Sequence, residues 1–404
     1  LTPAGISADD VMRGFPVPVE ARITPATVYR APFTRWFMQH VREVERTAAV
    51  PRGEGPVWEL PNEPRVLDEA AVAGGDGRRW SVNEWLAETY TDAVLVLHQG
   101  TVALERYFGD TGPETQHMYQ SVSKSVGACV CARLIERGLF AVQTPVTDLV
   151  PELRGSGYDG ATVRHLLDMR VGVRFREDYD DQGSEIARLD RLYGVRAPVA
   201  DDEPGSSYDF AAETVRDSEH GGPFHYVSLN LQVLGWLMER ATGVRLPELI
   251  GRELWGELGT EHEAYIALDG AGSAQLEGGF CSSLRDLARF GLMLCRSGRA
   301  EARQVVPAWW IDDIERNGDR QAFAAAGIAE SRHLPAPSYR DNFWVAAPPG
   351  HAVFMGIGIF GQFLYVNRAA DLVVAKFATQ PTFDDALLLA HDFNAAESLA
   401  DALV

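Results

Sequence analysis

Tyr119-Gln120-Ser121-Val122-Ser123-Lys124-Ser125 opens a stretch that stays apolar or small as far as Ile135 and breaks at Glu136-Arg137-Gly138. The glycine suits the left-handed end of a helix, and a helix apolar on most faces has to be central. A lysine on the first turn of such a helix is costly unless it is paired or put to use. Ser121 and Lys124 stand three apart, so the amine can lie beside the hydroxyl on one helix face. Burial lowers the proton affinity of an amine and lets it accept the serine proton near neutral pH. At the helix start, Ser121 also meets unpaired backbone N–H groups, which favour negative charge growing on a substrate carbonyl oxygen. The pattern S-x-x-K is short enough to arise by chance in 404 residues. Its apolar setting is what singles this one out.

Outward from that helix, the strand signals lie towards both ends of the chain. Ala93-Val94-Leu95-Val96-Leu97 and Thr101-Val102-Ala103-Leu104 flank His98-Gln99-Gly100, which predicts a β-hairpin of a buried sheet. Gly361-Gln362-Phe363-Leu364-Tyr365-Val366, a polar turn over 367–371, and Leu372-Val373-Val374-Ala375-Lys376-Phe377 predict further strands. Helical signals fill the middle: Thr162 to Leu167, then Leu229, Val233, Trp236 and Leu237 at i, i+4, i+7 and i+8. Ser283 and Asp286 form a capping pair ahead of Leu284, Leu287, Phe290 and Leu294.

Strands at both ends with helices between them predict an α/β (α+β) fold, an antiparallel sheet flanked by helices. Its discontinuous sheet-bearing unit spans 81–118 and 275–404. A mostly α-helical unit, 119–274, interrupts it and carries the S-x-x-K helix. Residues 1–80 are rich in Pro, Gly and charge, with one amphipathic stretch from Trp36 to Val44, and read as an arm wrapping a larger body.

Composition narrows the function. The chain is 46% hydrophobic and 23% charged, and no apolar run approaches the ~20 residues that span a bilayer, so a soluble protein without membrane attachment is expected. A net charge of −20 argues against nucleic-acid binding, which needs clustered Lys and Arg. Cys129, Cys131, Cys281 and Cys295 lack zinc-site spacing, and the first two point apart on a helix, so buried thiols are expected. Leu1-Thr2-Pro3-Ala4 shows no basic segment followed by an apolar core; the start at Leu1 reads as an expression boundary or a trimmed leader, and the cytoplasm is favoured.

Two more clusters can carry chemistry. Phe224-His225-Tyr226-Val227-Ser228-Leu229-Asn230 stands just before a helix, where the Tyr226 phenol can share a hydrogen bond with the lysine and deliver a proton to a leaving group; His225 reads as a neighbour. Gly356-Ile357-Gly358-Ile359-Phe360-Gly361 matches the letters of the dinucleotide fingerprint, but the chain continues as strand instead of opening a helix. Glycines on a strand are expected to let a ligand approach the backbone closely, with an N–H there completing an oxyanion hole. G-x-S-x-G, H-E-x-x-H and G-x-x-x-x-G-K are missing, so neither cofactor nor metal is expected.

In this order and spacing, the three clusters resemble the class C β-lactamase and penicillin-binding serine hydrolases, where S-x-x-K, Y-x-[NS] and a glycine-containing strand form one site. The chain more closely resembles the 6-aminohexanoate-dimer hydrolases, the nylon-oligomer branch. Ser121 to Ser125, Val150-Pro151-Glu152-Leu153 with Tyr158-Asp159-Gly160, Glu177-Asp178-Tyr179, Tyr226 to Asn230, and Gly356 to Ile359 with Gly361-Gln362 carry that likeness. It runs from about residue 90 to 380.

The resemblance implies that Ser121 forms the acyl-enzyme, Lys124 is the base and Tyr226 the partner acid, with the backbone N–H groups of Ser121 and Ile359 holding the oxyanion. It implies that Tyr179 closes over substrate and contacts its amide nitrogen. Asp190 would pair with a free amino end, Ser228 and Asn230 would belong to the substrate side, and Trp344 would form an aromatic wall. A homodimer and a small amide or ester substrate follow from the same likeness. Phe360 stands where a histidine is found in the family, and Glu277 where a neutral polar residue is expected. The β-lactam-recognising K-T-G is missing from the late strand, which argues against antibiotic hydrolysis. A carboxylesterase or transacylase using the same three residues, and a silent module binding acyl groups or peptides in the same cleft, remain as alternatives.

Overall fold

Gln99 and Gly100 both take left-handed backbone angles, with φ of 53° and 81°, as a tight two-residue hairpin turn requires. They join β1 (Thr91–His98) to β2 (Thr101–Tyr107). The computed structural model describes residues 6–67, 70–199, 205–328 and 333–403. The first four residues, on which the expectation of a trimmed start rests, lie outside them. Five later strands complete the sheet: β3 (Ser338–Arg340), β4 (Phe343–Ala346), β5 (Val353–Gly358), β6 (Gln362–Asn367) and β7 (Leu372–Ala378). The order across the sheet is β3-β4-β5-β6-β7-β1-β2, and all pairs are antiparallel.

The two hairpins read from sequence therefore meet in the sheet interior, where Val374 of β7 stands opposite Val96 of β1. Both strands are buried along their whole length, so each face needs a cover. Side chains alternate between faces with a period of two: Ala93, Leu95, Leu97, Val373 and Ala375 enter one core, and Val94, Val96, Leu372 and Val374 enter another. A helix over Leu284–Cys295, capped by Ser283 as its pairing with Asp286 predicts, packs on the first face. The C-terminal helix, Ala386–Leu403, contributes Phe393, Ala396 and Leu399 to the second.

A second, four-stranded sheet escaped the sequence reading. Its order is Arg46–Val50, Ala264–Leu268, Phe280–Ser282, His117–Met118. Its strands have two to five residues, too few for alternation to stand out. This sheet matters for function because its last strand delivers the chain into Tyr119. The Tyr119 amide donates to the Phe280 carbonyl at 2.8 Å, and its hydroxyl shares a 2.5 Å hydrogen bond with Ser282 Oγ.

From there the chain enters α1 (Val122–Glu136), which is buried on nearly all sides and is followed by Gly138 at φ 75°. α2 (Leu229–Thr242) packs against it and ends at left-handed Gly243. Among the described residues, no helix is long and apolar enough to cross a membrane. All four cysteines are buried free thiols.

Candidate active site

Ser121 occupies the N-cap of α1, one residue after Gln120, whose φ of 48° is left-handed for a side chain that disfavours it. Non-glycine residues in that region cost energy and gather at functional sites. The turn lifts Ser121 to a partly exposed position while Lys124, one helical turn on, is fully buried. Lys124 Nζ donates to Ser121 Oγ at 2.8 Å and to the Glu277 carbonyl oxygen at 2.8 Å. Burial lowers the lysine to about 8, against the opposing pull of the Glu177 and Glu277 carboxylates.

Tyr226 comes from the segment ahead of α2. It lines the same cavity as Ser121, and the Lys124 ammonium lies 5.0 Å from its ring centroid. Burial, and then the Glu177 charge, push the phenol up, so Tyr226 holds its proton at neutral pH. A hydroxyl and an amine from one helical turn thus meet a phenol from a separate stretch.

Strand β5 closes the site from the sheet side. A methyl group on Gly356 would come within 2.9 Å of Val122 Cγ1, and one on Gly358 within 2.7 Å of the Tyr119 carbonyl oxygen. Gly356 thus admits the helix bearing Ser121 and Gly358 the turn ahead of it, while Gly358 also borders the cavity beside Ser121. Beyond the strand, Phe360 adopts φ 61° and packs against Tyr29 and Phe383, with ring centroids 5.6 and 5.0 Å away. Phe360 is buried, which is why an apolar ring can replace a histidine there.

Ser121, Tyr226, Tyr179, Trp344 and Ile359 line one cavity of about 360 Å³. Its wall is mainly apolar, with Phe224, Ile357, Phe363 and Phe383 among the lining residues. Trp344 stacks on Tyr226 at 5.9 Å between centroids, and Tyr179 stacks on Phe383 at 5.0 Å. His225 also faces the cavity while its Nε2 is bonded to the Phe175 carbonyl at 2.8 Å.

Three residues expected on the substrate side are engaged elsewhere. Asp190 is buried and accepts from Arg196 Nε at 2.7 Å; burial raises its carboxyl to about 6 despite that guanidinium. Asn230 is buried, accepting from the Tyr158 hydroxyl at 3.1 Å. Ser228 gives its hydroxyl to Glu177 at 2.5 Å. None of the three lines the cavity.

Glu177 and Phe383, which do line it, had no role in the sequence reading. Phe383 sits in Gln380-Pro381-Thr382-Phe383-Asp384-Asp385, where no periodicity marks it. Glu177 lay inside a family-matching stretch, and only its contacts reveal it. Glu277 is held through its side chain by Gln232 and is pushed by burial up to about 7, with Lys124 opposing.

The Beta-lactamase family model matches residues 86–397, and the chain belongs to the β-lactamase family, as a serine hydrolase of that fold. Within the family it is similar to the 6-aminohexanoate-dimer hydrolase of Paenarthrobacter ureafaciens, at 36% identity over 88% of this chain and 87% of that protein. Esterase EstB of Burkholderia gladioli is 29% identical over 39% of this chain and 40% of its own length. Among solved structures, a Bacillus anthracis protein provisionally named 6-aminohexanoate-dimer hydrolase superposes with a TM-score of 0.84, at 24% identity, over 94% of this chain and 97% of that one.

Proposed function

We propose that the protein cleaves small linear amides or esters, 6-aminohexanoate oligomers among them, through an acyl-enzyme on Ser121. The observation that carries this reading is the approach of Lys124 Nζ to 2.8 Å from Ser121 Oγ, with the Tyr226 ring centroid 5.0 Å from the same amine. In the neutral form, Lys124 takes the Ser121 proton as Oγ attacks the carbonyl carbon. The backbone N–H groups of Ser121 and Ile359 receive the negative charge on the substrate oxygen. Tyr226 passes a proton to the departing amine or alkoxide and is reprotonated from Lys124. Water then attacks the acyl-enzyme by the same route in reverse. Tyr179 and Trp344 flank the bound chain, and an ammonium end of a substrate would compete with Arg196 for Asp190.

Ester cleavage is the second reading, favoured by the apolar cavity wall and by the likeness to EstB. Side-by-side assays with 6-aminohexanoate dimer and p-nitrophenyl butyrate separate the two: the first reading expects turnover of both, the second of the ester alone. Turnover of neither substrate contradicts both. Two further parts of the proposal are a cytoplasmic location, supported by the four free thiols, and a homodimer, which light scattering tests. The division into an arm, a discontinuous sheet unit and a helical unit belongs to the same reading.

A further inference from the structure

Glu177 lies on an irregular segment that crosses the cavity beside Ser121 and Tyr226. Its carboxylate accepts three hydrogen bonds: from the Ser228 amide at 3.1 Å, from the Ser228 hydroxyl at 2.5 Å and from the Tyr179 hydroxyl at 2.9 Å. Three donors thus converge on one carboxyl group, which can accept them all. Ser228 is the N-cap of α2 and stands two residues after Tyr226. Glu177 therefore joins three things: the segment bearing Tyr179, the helix entry that fixes Tyr226, and the charge balance around Lys124.

The Glu177 carboxylate, on the segment that lines the cavity, and the Glu277 carboxylate, ahead of Phe280, both favour the charged form of Lys124, and Tyr226 presents its ring face 5.0 Å from the amine. Of the two carboxylates Glu177 acts more strongly on the amine, and the Glu277 side chain is already taken by Gln232. We infer that Glu177 is a positioning residue of this site, clasping Tyr179 to the entry of α2 and supplying the fixed negative charge against which Lys124 gives up its proton. The inference rests on the reading of Ser121 and Lys124 as the acyl-transfer pair.

The test is the pH profile of p-nitrophenyl butyrate hydrolysis, with the rate of Ser121 phosphonylation by a fluorophosphonate followed in parallel. An anion beside an ammonium favours its charged form, so Glu177→Gln removes support for protonated Lys124. The acidic limb of both profiles then moves towards lower pH by about one unit. Ser228→Ala keeps the charge but loosens the clasp: its limb stays in place and KM rises several-fold. Should Glu177→Gln fail to fold, as judged by thermal melting, Glu177→Ala gives the same displacement of the limb. An unmoved limb in the Glu177 variants, or one displaced to higher pH, overturns the inference. A wild-type protein that neither turns over the ester nor takes the phosphonate overturns instead the reading it rests on.

Discussion

A methyl group on Gly358 would stand 2.7 Å from the carbonyl oxygen of Tyr119. The neighbour is backbone, two residues before Ser121, and Tyr119 is itself pinned by the Phe280 carbonyl and by Ser282. The strand can therefore lie against the turn only if it carries no side chain there.

Gly358→Ala has to push the strand and the Ser121 turn apart. Overpacking of this kind costs about 1–3 kcal/mol, which urea unfolding reads as a lowered midpoint. Because the displaced atoms hold the proposed nucleophile and one proposed oxyanion donor, kcat is expected to fall by more than the loss of folded protein explains. Unchanged kcat in the folded variant would mean that the glycine serves stability alone.

Activity is expected to rise with pH through about 8, to which burial lowers Lys124 from the ordinary 10.5. The sign follows from the base role proposed for it: below that pH the amine carries a proton and cannot take one from Ser121, so the rate is expected to drop about tenfold per pH unit. A limb nearer 10 would show that Lys124 titrates as an exposed lysine does. The measurement is kcat/KM for a neutral ester across pH 5.5 to 10.

Lys376 and Asp392 form a fully enclosed ion pair at 2.8 Å, and Asp392 also accepts from Trp85 Nε1 at 2.8 Å. Replacing Lys376 by Met leaves a buried carboxylate without its cation, which costs about 3–5 kcal/mol. Denaturant unfolding checks this. Lys376→Met together with Asp392→Leu recovers part of the loss, since removing both charges leaves neither unpaired.

Much of this architecture is legible in the sequence where strong local patterns coincide with burial. The paired apolar runs around Gln99-Gly100 and over 361–377 are long enough to be read as strands, and they form β1, β2, β6 and β7. Lys124 stands out because it places a charged group where an apolar one would cost less, whereas Ser121 and Tyr226 are legible through their spacing and the family likeness. The small sheet around Arg46–Val50 and Phe280–Ser282 is illegible because it is assembled from short strands far apart in sequence. Glycine spacing told of close approach on β5 but not of what approaches. Asp190 shows a further limit: its partner, Arg196, lies only six residues away, yet nothing in the spacing says that the two side chains meet inside the protein and not in solvent.

Everything proposed for this site requires that Ser121 become acylated. Intact mass spectrometry of the wild-type protein quenched during turnover of p-nitrophenyl butyrate tests it most directly, with Ser121→Ala run alongside. The expected result is an added butyryl group on the peptide containing Ser121, with no adduct in the variant, turnover there reduced at least about a thousandfold, and a melting curve unchanged. Turnover retained by Ser121→Ala, or an acyl group found on another residue, would contradict it.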